Sequence, residues 1–172
     1  MIGAQIAPHR WAVDLLTTIP GVSAAVARVI VAEIGVDMAR FPTAGNLASW
    51  AGTTPGSNES AGKVKSTRTR PGNAHLKGAL GIAALAAAKT KDTYLAGRFK
   101  RVTARHGGMK AIVAVERSML TAGWHMLSNN QPYQDPGGDF HLRRRPDRAQ
   151  AKALGTLRSL GHKVDLTPIP AA

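Results

Sequence analysis

Apolar residues recur at helical spacing on both sides of one stretch, Thr53 to Gly72, and inside it the period vanishes. A sustained stripe marks where a chain can bury a helical face, and its loss marks where no such face exists. The chain therefore reads as helices built around a long loop or irregular hairpin, rich in Gly, Ser, Thr, Lys and Arg. Loops of that length within a compact domain are usually functional or disordered, which makes this one the first candidate for a site.

The flanking stripes organise the rest. Trp11, Val13, Leu15 and Leu16 outline a short helix that Ile19-Pro20-Gly21-Val22-Ser23 breaks. Ser23 then suits the N-cap of a helix over Ala24 to Ile34, with Gly35 as its stop. Helix, Pro-Gly turn, helix is the pattern of a helix-hairpin-helix. Thr43 caps a short helix through Leu47 to Trp50, which ends at Gly52. Beyond the loop, Leu76, Leu80, Ala83, Ala84 and Ala87 predict a helix over Asn73 to Lys89. Asp92 caps another from Thr93 to Arg105, and Met109 to Leu127 forms a third. Pro132 to Gly138 is turn-rich and marks a boundary; Arg143-Arg144-Arg145 then leads into a basic amphipathic helix, Asp147 to Leu160. Gly161 to Leu166 reads as a short strand or ordered tail. The expected fold class is all-α, with a helical domain over residues 1–131 and a basic helix and tail over 132–172.

With 23 Lys and Arg against 10 Asp and Glu, the formal net charge is +13 and the pI near 11.1. Such an excess attracts a polyanion, either nucleic acid or an acidic membrane surface. The alanine-rich run Ala79 to Ala88 is too short to span a bilayer, and Met1 to Arg10 has no signal-peptide core. The expectation is a cytoplasmic, nucleoid-associated protein with no membrane partner. The absence of cysteine excludes disulfides and thiolate metal sites. Glu33 with Asp37, and Asp135 with Asp139, read as cap or turn residues, and the histidines are dispersed, so no metal site is expected. Trp11, Trp50 and Trp124 fall on apolar faces and are assigned to the core.

Within the loop, the run Asn58-Glu59-Ser60-Ala61-Gly62-Lys63-Val64-Lys65-Ser66-Thr67-Arg68-Thr69-Arg70 sets a hydroxyl near glycine, followed by alternating cations. A phosphodiester needs such chemistry: a small nucleophile in Ser60, close approach at Gly62, and fixed positive charge from Lys63, Lys65, Arg68 and Arg70. Against that, an isolated loop serine most often hydrogen-bonds its own turn, and no His-Asp pair lies nearby in sequence to take the Ser60 proton. The turn Pro20-Gly21-Val22-Ser23 would offer backbone N–H groups at a helix N-terminus to a phosphate, without reading sequence. Two more basic blocks, Arg98-Lys100-Arg101-Arg105 and Arg143-Arg144-Arg145-Arg148, favour a shared polyanion surface over separate solvated faces.

Several segments together carry a resemblance: Ile19-Pro20-Gly21-Val22, Ala32-Glu33-Ile34-Gly35, Arg40-Phe41-Pro42-Thr43, Trp50-Ala51-Gly52, Pro55-Gly56, Asn58-Glu59-Ser60-Ala61-Gly62-Lys63, Gly72-Asn73 and Leu76-Lys77. They resemble the C-terminal domain of the insertion-sequence "one-ten" transposase family, also called "one-sixteen/nine-oh-two". Later segments, among them Trp124-His125-Met126-Leu127 and Pro132-Tyr133, fit as well. The resemblance implies that Ser60 attacks DNA and forms a covalent phosphoserine link. Lys63, Arg68 and the hairpin, with Asn73 and Lys77 in the matching segments, would hold nucleic-acid backbone. It also implies an N-terminal RuvC-like domain that carries acidic magnesium-binding residues; this stretch itself is expected to hold no cofactor. The two domain types, from different protomers of a homo-oligomer, would combine on DNA guided by a structured RNA.

The residues before Ile19 are too few for a RuvC-like domain, so the sequence reads as a fragment, a truncated copy or an isolated domain that binds nucleic acid without recombining it alone. Thr53 and Pro71 depart from the family pattern, the first replacing a larger apolar residue and the second a cation. Two non-catalytic classes fit the same residues. One is a structural nucleic-acid binder, in the manner of a ribosomal protein of the small-subunit head, in which Ser60 is incidental. The other is an assembly module that pairs protomers through Met109 to Leu127 or the Trp50 face.

Overall fold

The computed structural model describes residues 7–56, 58–60, 63–66 and 68–167, with the backbone alone for Ala7 and residues 58–60 and 63–65. Local chemistry sets most helix ends. A 3-10 turn, Ala7–His9, leads into α1 (Arg10–Leu16), and α2 (Ala24–Ile34) starts where the Ser23 hydroxyl accepts from the Val26 N–H at 3.3 Å. Gly35, at φ 74°, stops α2. A second 3-10 turn, Met38–Arg40, is capped by Asp37, and α3 (Ala44–Trp50) by Thr43. A two-stranded antiparallel hairpin follows, β1 (Asn58–Ser60) and β2 (Lys63–Ser66). Then come α4 (Ala74–Ala88), α5 (Tyr94–His106) and α6 (Gly108–Asn129). Among the described residues the fold is all-α apart from that hairpin, which lies inside the stretch where helical period is lost.

The long α6 is the centre of the core and packs against α1, α3, α4 and α5. Its buried stripe includes Ala111, Val115, Met119, Leu120, Gly123, Met126 and Leu127. Opposite it, Leu76, Leu80, Ala83, Ala84 and Ala87 of α4 are fully buried. Small side chains there let backbones approach closely. Each buried Leu or Met contributes about 1.5–3 kcal/mol, so α4 and α6 anchor the fold more than any capping interaction, which is worth about 1 kcal/mol.

Three local expectations need correction. Thr93, not Asp92, caps α5, its hydroxyl accepting from the Ala96 N–H, while Asp92 turns the chain at φ 53°. Trp11 and Trp50 are 43% and 44% exposed rather than in the core, because the seven-residue helices that carry them bury only their inner turns. Trp50 instead packs against Phe41 with the rings tilted by 55° and their centroids 5.5 Å apart, and Trp124 gives its indole N–H to the Phe41 carbonyl. Glu33 is not a cap: its carboxylate accepts from the Asn73 side-chain amide at 2.6 Å.

Residues 131–138 lie across the helical unit as a strap. The Tyr133 N–H donates to the Thr18 hydroxyl, Asp135 accepts from the Tyr94 and Gly137 N–H groups, and the Gly138 N–H donates to the Asp92 carbonyl. Asp135 thereby satisfies one of the orphan donors at the start of α5. The first compact unit accordingly runs to Gly138, and the second begins at Asp139.

The second unit holds α7 (Phe140–Arg143) and α8 (Pro146–Ser159), neither with a buried residue. Proline at the first turn of α8 starts that helix where its missing N–H costs nothing. Gly161 to Leu166 form no strand.

Candidate nucleic-acid interface

Two glycines determine how the hairpin leaves the helices. A Cβ on Gly72, at φ 61°, would lie 2.2 Å from the Ala51 carbonyl oxygen, and one on Gly52, at φ 72°, would lie 2.7 Å from that of Arg70. The two ends of the loop cross in backbone contact, which only glycine permits. Beside the crossing, Thr53 is 1% exposed and its hydroxyl donates to the Ala48 carbonyl, closing the end of α3. Asn73 closes the other side: its carbonyl oxygen accepts from the Leu76 N–H to start α4, and its amide reaches Glu33 on α2. The loop is thus clamped between α2, α3 and α4.

Above the crossing, the Gly56 N–H donates to the Arg68 carbonyl at 3.0 Å and Pro55 bridges Thr69. The ladder then pairs Asn58 with Ser66, passes a bulge, and sets Glu59 opposite Val64 and Ser60 opposite Lys63. Directly opposed residues of an antiparallel ladder have Cα atoms about 4.5–5.5 Å apart. The backbone of Ser60 therefore sits at the pair that closes the hairpin. Its side chain, those of Lys63 and Lys65, and Gly62 as a whole lie outside the described residues.

At the foot of β2 a cleft of about 650 Å³ is lined by Ser66, Arg68, Thr69, Arg70, Pro71 and Lys77. Among the described residues its lining holds three cations and no carboxylate. The Ser66 hydroxyl accepts from the Arg68 N–H at 3.1 Å and shapes the turn that leads into the arginines. Lys77 arrives from the first turn of α4, whose N-terminus adds partial positive charge. A guanidinium pair with an ammonium suits the non-bridging oxygens of a phosphate chain. Ser66 and Thr69 were not singled out in the sequence, where they look like ordinary polar loop residues.

The other candidates are dispersed. At the Pro20-Gly21 turn, a Cβ on Gly21 would lie 2.5 Å from both the Ala83 carbonyl oxygen and the Ala87 nitrogen of α4. Val22 is 6% exposed and its N–H donates to the Ile19 carbonyl, so Gly21 and Val22 pack the turn against α4. Pro20 is half-buried beside them, and Ser23 is exposed but spends its hydroxyl on the cap of α2. Asn73 has both ends of its side chain engaged inside the protein.

Arg101 and Arg105 sit on α5 and do not line the cleft. Desolvation and the neighbouring guanidinium groups of Arg98 and Arg105 pull Arg101 below the usual arginine value, although it stays charged. Arg98 ties α5 to α6, its Nε donating to the Ala114 carbonyl at 3.1 Å. Arg143, Arg144 and Arg145 belong to the second unit, where Arg143 pairs with Asp139 at 3.0 Å.

Among the described residues no three His, Asp or Glu side chains come together as metal ligands, and no helix is long and apolar enough to cross a membrane. A search of curated proteins found no match. The family model for the Transposase IS116/IS110/IS902 family matches residues 13–100, which run from α1 into α5 and include the glycine crossing, the hairpin and the cleft. With about half of its length matched, and with the loop, the crossing and the cleft all inside the match, the chain belongs to the IS116/IS110/IS902 transposase family.

Proposed function

We propose that this chain is the nucleophile-bearing, DNA-holding half of its transposase, with Ser60 as the attacking group and Arg68, Arg70 and Lys77 as contacts to the DNA backbone. The observation that carries this reading is a cleft lined by Arg68, Arg70 and Lys77, with no carboxylate among the described residues, at the foot of a hairpin whose closing pair contains Ser60. The glycine crossing and the Asn73 to Glu33 bond support it further, because a nucleophile on a loop needs a fixed base.

In the step itself, the Ser60 oxygen bonds to phosphorus as the bond from phosphorus to the departing deoxyribose oxygen breaks. The serine proton passes to a base supplied by the assembled complex, and the departing oxygen takes up a proton. Energy of the broken phosphodiester is kept in the phosphoserine link, so a DNA hydroxyl can later reverse the step and join a new strand. Under this reading magnesium belongs to the acidic residues of the RuvC-like domain, and the active complex is a homo-oligomer that holds DNA and a structured RNA.

In the complete enzyme, Ser60→Ala is expected to abolish the covalent protein-DNA adduct seen on denaturing gels while leaving DNA affinity within about twofold. An adduct that survives the change refutes the assignment. For the cleft, Arg68→Ala with Arg70→Ala and Lys77→Ala should lower the slope of log affinity against log salt by about 2.7, three phosphate contacts at about 0.9 each on duplex DNA. An unchanged slope moves the DNA elsewhere.

A further inference from the structure

Glu116 is a buried carboxyl without an assigned role. It lies on α6, is 4% exposed, and its Oε2 finds no hydrogen-bond partner among the described residues. Among the described residues the other buried polar one, Thr53, spends its hydroxyl on the Ala48 carbonyl, and Glu116 alone keeps a buried side-chain oxygen unpaired. Unpaired buried carboxylates are costly and call for an explanation.

Its surroundings supply one. Glu116 packs against α4 at Gly81, where a Cβ would stand 3.4 Å from Oε1, so glycine leaves the space that the carboxyl fills. One helical turn before Gly81, on the same side of α4, is Lys77, which lines the cationic cleft. Burial pushes the Glu116 carboxyl above the ordinary range, and the Lys77 charge works against that rise.

The other elements packed on α6 offer little competition. On α5, Arg98 gives its Nε to the Ala114 carbonyl. The sequence of α3 has no ionisable residue. On α1, Arg10 and Asp14 face each other on an exposed surface, and near the Met38–Arg40 turn Asp37 caps the Ala39 N–H.

We infer that Glu116 is a positioning residue for Lys77: its carboxylate draws the ammonium back along α4, and a DNA phosphate that enters the cleft takes the ammonium over while Glu116 gains a proton from solvent. The inference rests on the reading of the cleft as a backbone-phosphate site. The linkage has a definite sign. Once Lys77 is neutralised by phosphate, its opposition to the burial of Glu116 is lost, so the bound state holds more protons than the free one and affinity rises as pH falls. For one proton the slope is at most about tenfold per pH unit.

Two measurements on the full chain test this. The first is anisotropy binding of a labelled DNA duplex at fixed low salt across the mildly acid to neutral range, with calorimetry in two buffers of different ionisation enthalpy to count protons. Wild type should bind more tightly toward acid and take up protons, whereas Glu116→Gln, isosteric and uncharged, should lose the Glu116 share of that slope and bind several-fold more tightly at neutral pH.

The second is the titration midpoint of the Glu116 carboxyl by carbon NMR, expected to move up in Lys77→Met, which removes the charge that works against the burial effect. If Glu116→Gln keeps the wild-type pH slope, the proton linkage is overturned. If the midpoint ignores Lys77→Met, the positioning role is overturned without reference to DNA. If no protein binds DNA at any pH, the cleft reading fails and the linkage with it, while the carboxyl titration still decides whether the two side chains are coupled.

Discussion

Two corners of this protein join helices through a glycine at positive φ, and they do opposite things. Gly21, at φ 87°, turns the chain from α1 toward α2 with its backbone pressed on Ala83 and Ala87 of α4. Gly107, at φ 82°, turns it from α5 into α6 with nothing within 4 Å of the place a Cβ would occupy, and the same is true of Gly108. Around the second corner Arg105, His106, Met109 and Lys110 are all exposed. The Pro-Gly spelling of the first makes it look like a phosphate-binding hairpin, yet the open, cation-flanked corner is the other one. A sequence tells where a backbone must bend more readily than what the bend will touch.

Substitution at the first corner should have the largest effect. Gly21→Ala combines a positive-φ penalty with contacts 2.5 Å from two backbone atoms of α4, and since backbone cannot step aside as a side chain can, the loss should be about 3 kcal/mol or more. In a thermal melt that is a fall of roughly 10 °C for a unit of this size. Gly107→Ala shares the φ penalty without the contacts, and a cost of about 1–2 kcal/mol is expected. Because both glycines have nearly the same φ, the difference between the two melts isolates the close packing of the first corner on α4. Equal losses would show that conformation alone matters and that the corners are alike.

The contrast also explains which parts of the structure were legible beforehand. Ser23, Thr43, Gly35 and Asn73 end or start helices through bonds to groups within four residues, and those ends could be read from local chemistry. The loss of period between Thr53 and Gly72 likewise located the hairpin, although its register is set by pairings that no local rule fixes. What escaped depends on distant partners. Glu33 meets Asn73 across forty positions, and Gly21 meets Ala83 and Ala87 on a helix that lies beyond the loop. Trp11 and Trp50 were misplaced because an apolar side chain on a two-turn helix need not face inward.

Glu116 left a trace that could have been followed. It sits four residues after Ile112 and four before Leu120, inside the buried stripe of α6 rather than beside it, and an acid at such a position is an anomaly of pattern. For the cleft, the sequence supplied Arg68, Arg70 and Lys77, but only the fold shows that Lys77 joins the arginines while Asn73 and the Pro20-Gly21 turn do not.

Gly108 gives the mildest and most discriminating test of the open corner. It is the first residue of α6, its added Cβ would enter open space, and no side chain caps the helix there. Alanine is the better helix former by about 1 kcal/mol in a helix interior, with less to gain at an end, so Gly108→Ala should raise stability by a few tenths of a kcal/mol. The melt should shift up by about 1 °C or not at all. A clear loss instead would mean that something packs on this corner in solution, such as a second copy of the chain. Repeating the melt at a tenfold lower protein concentration separates the cases, because only a contact between copies makes the loss depend on concentration.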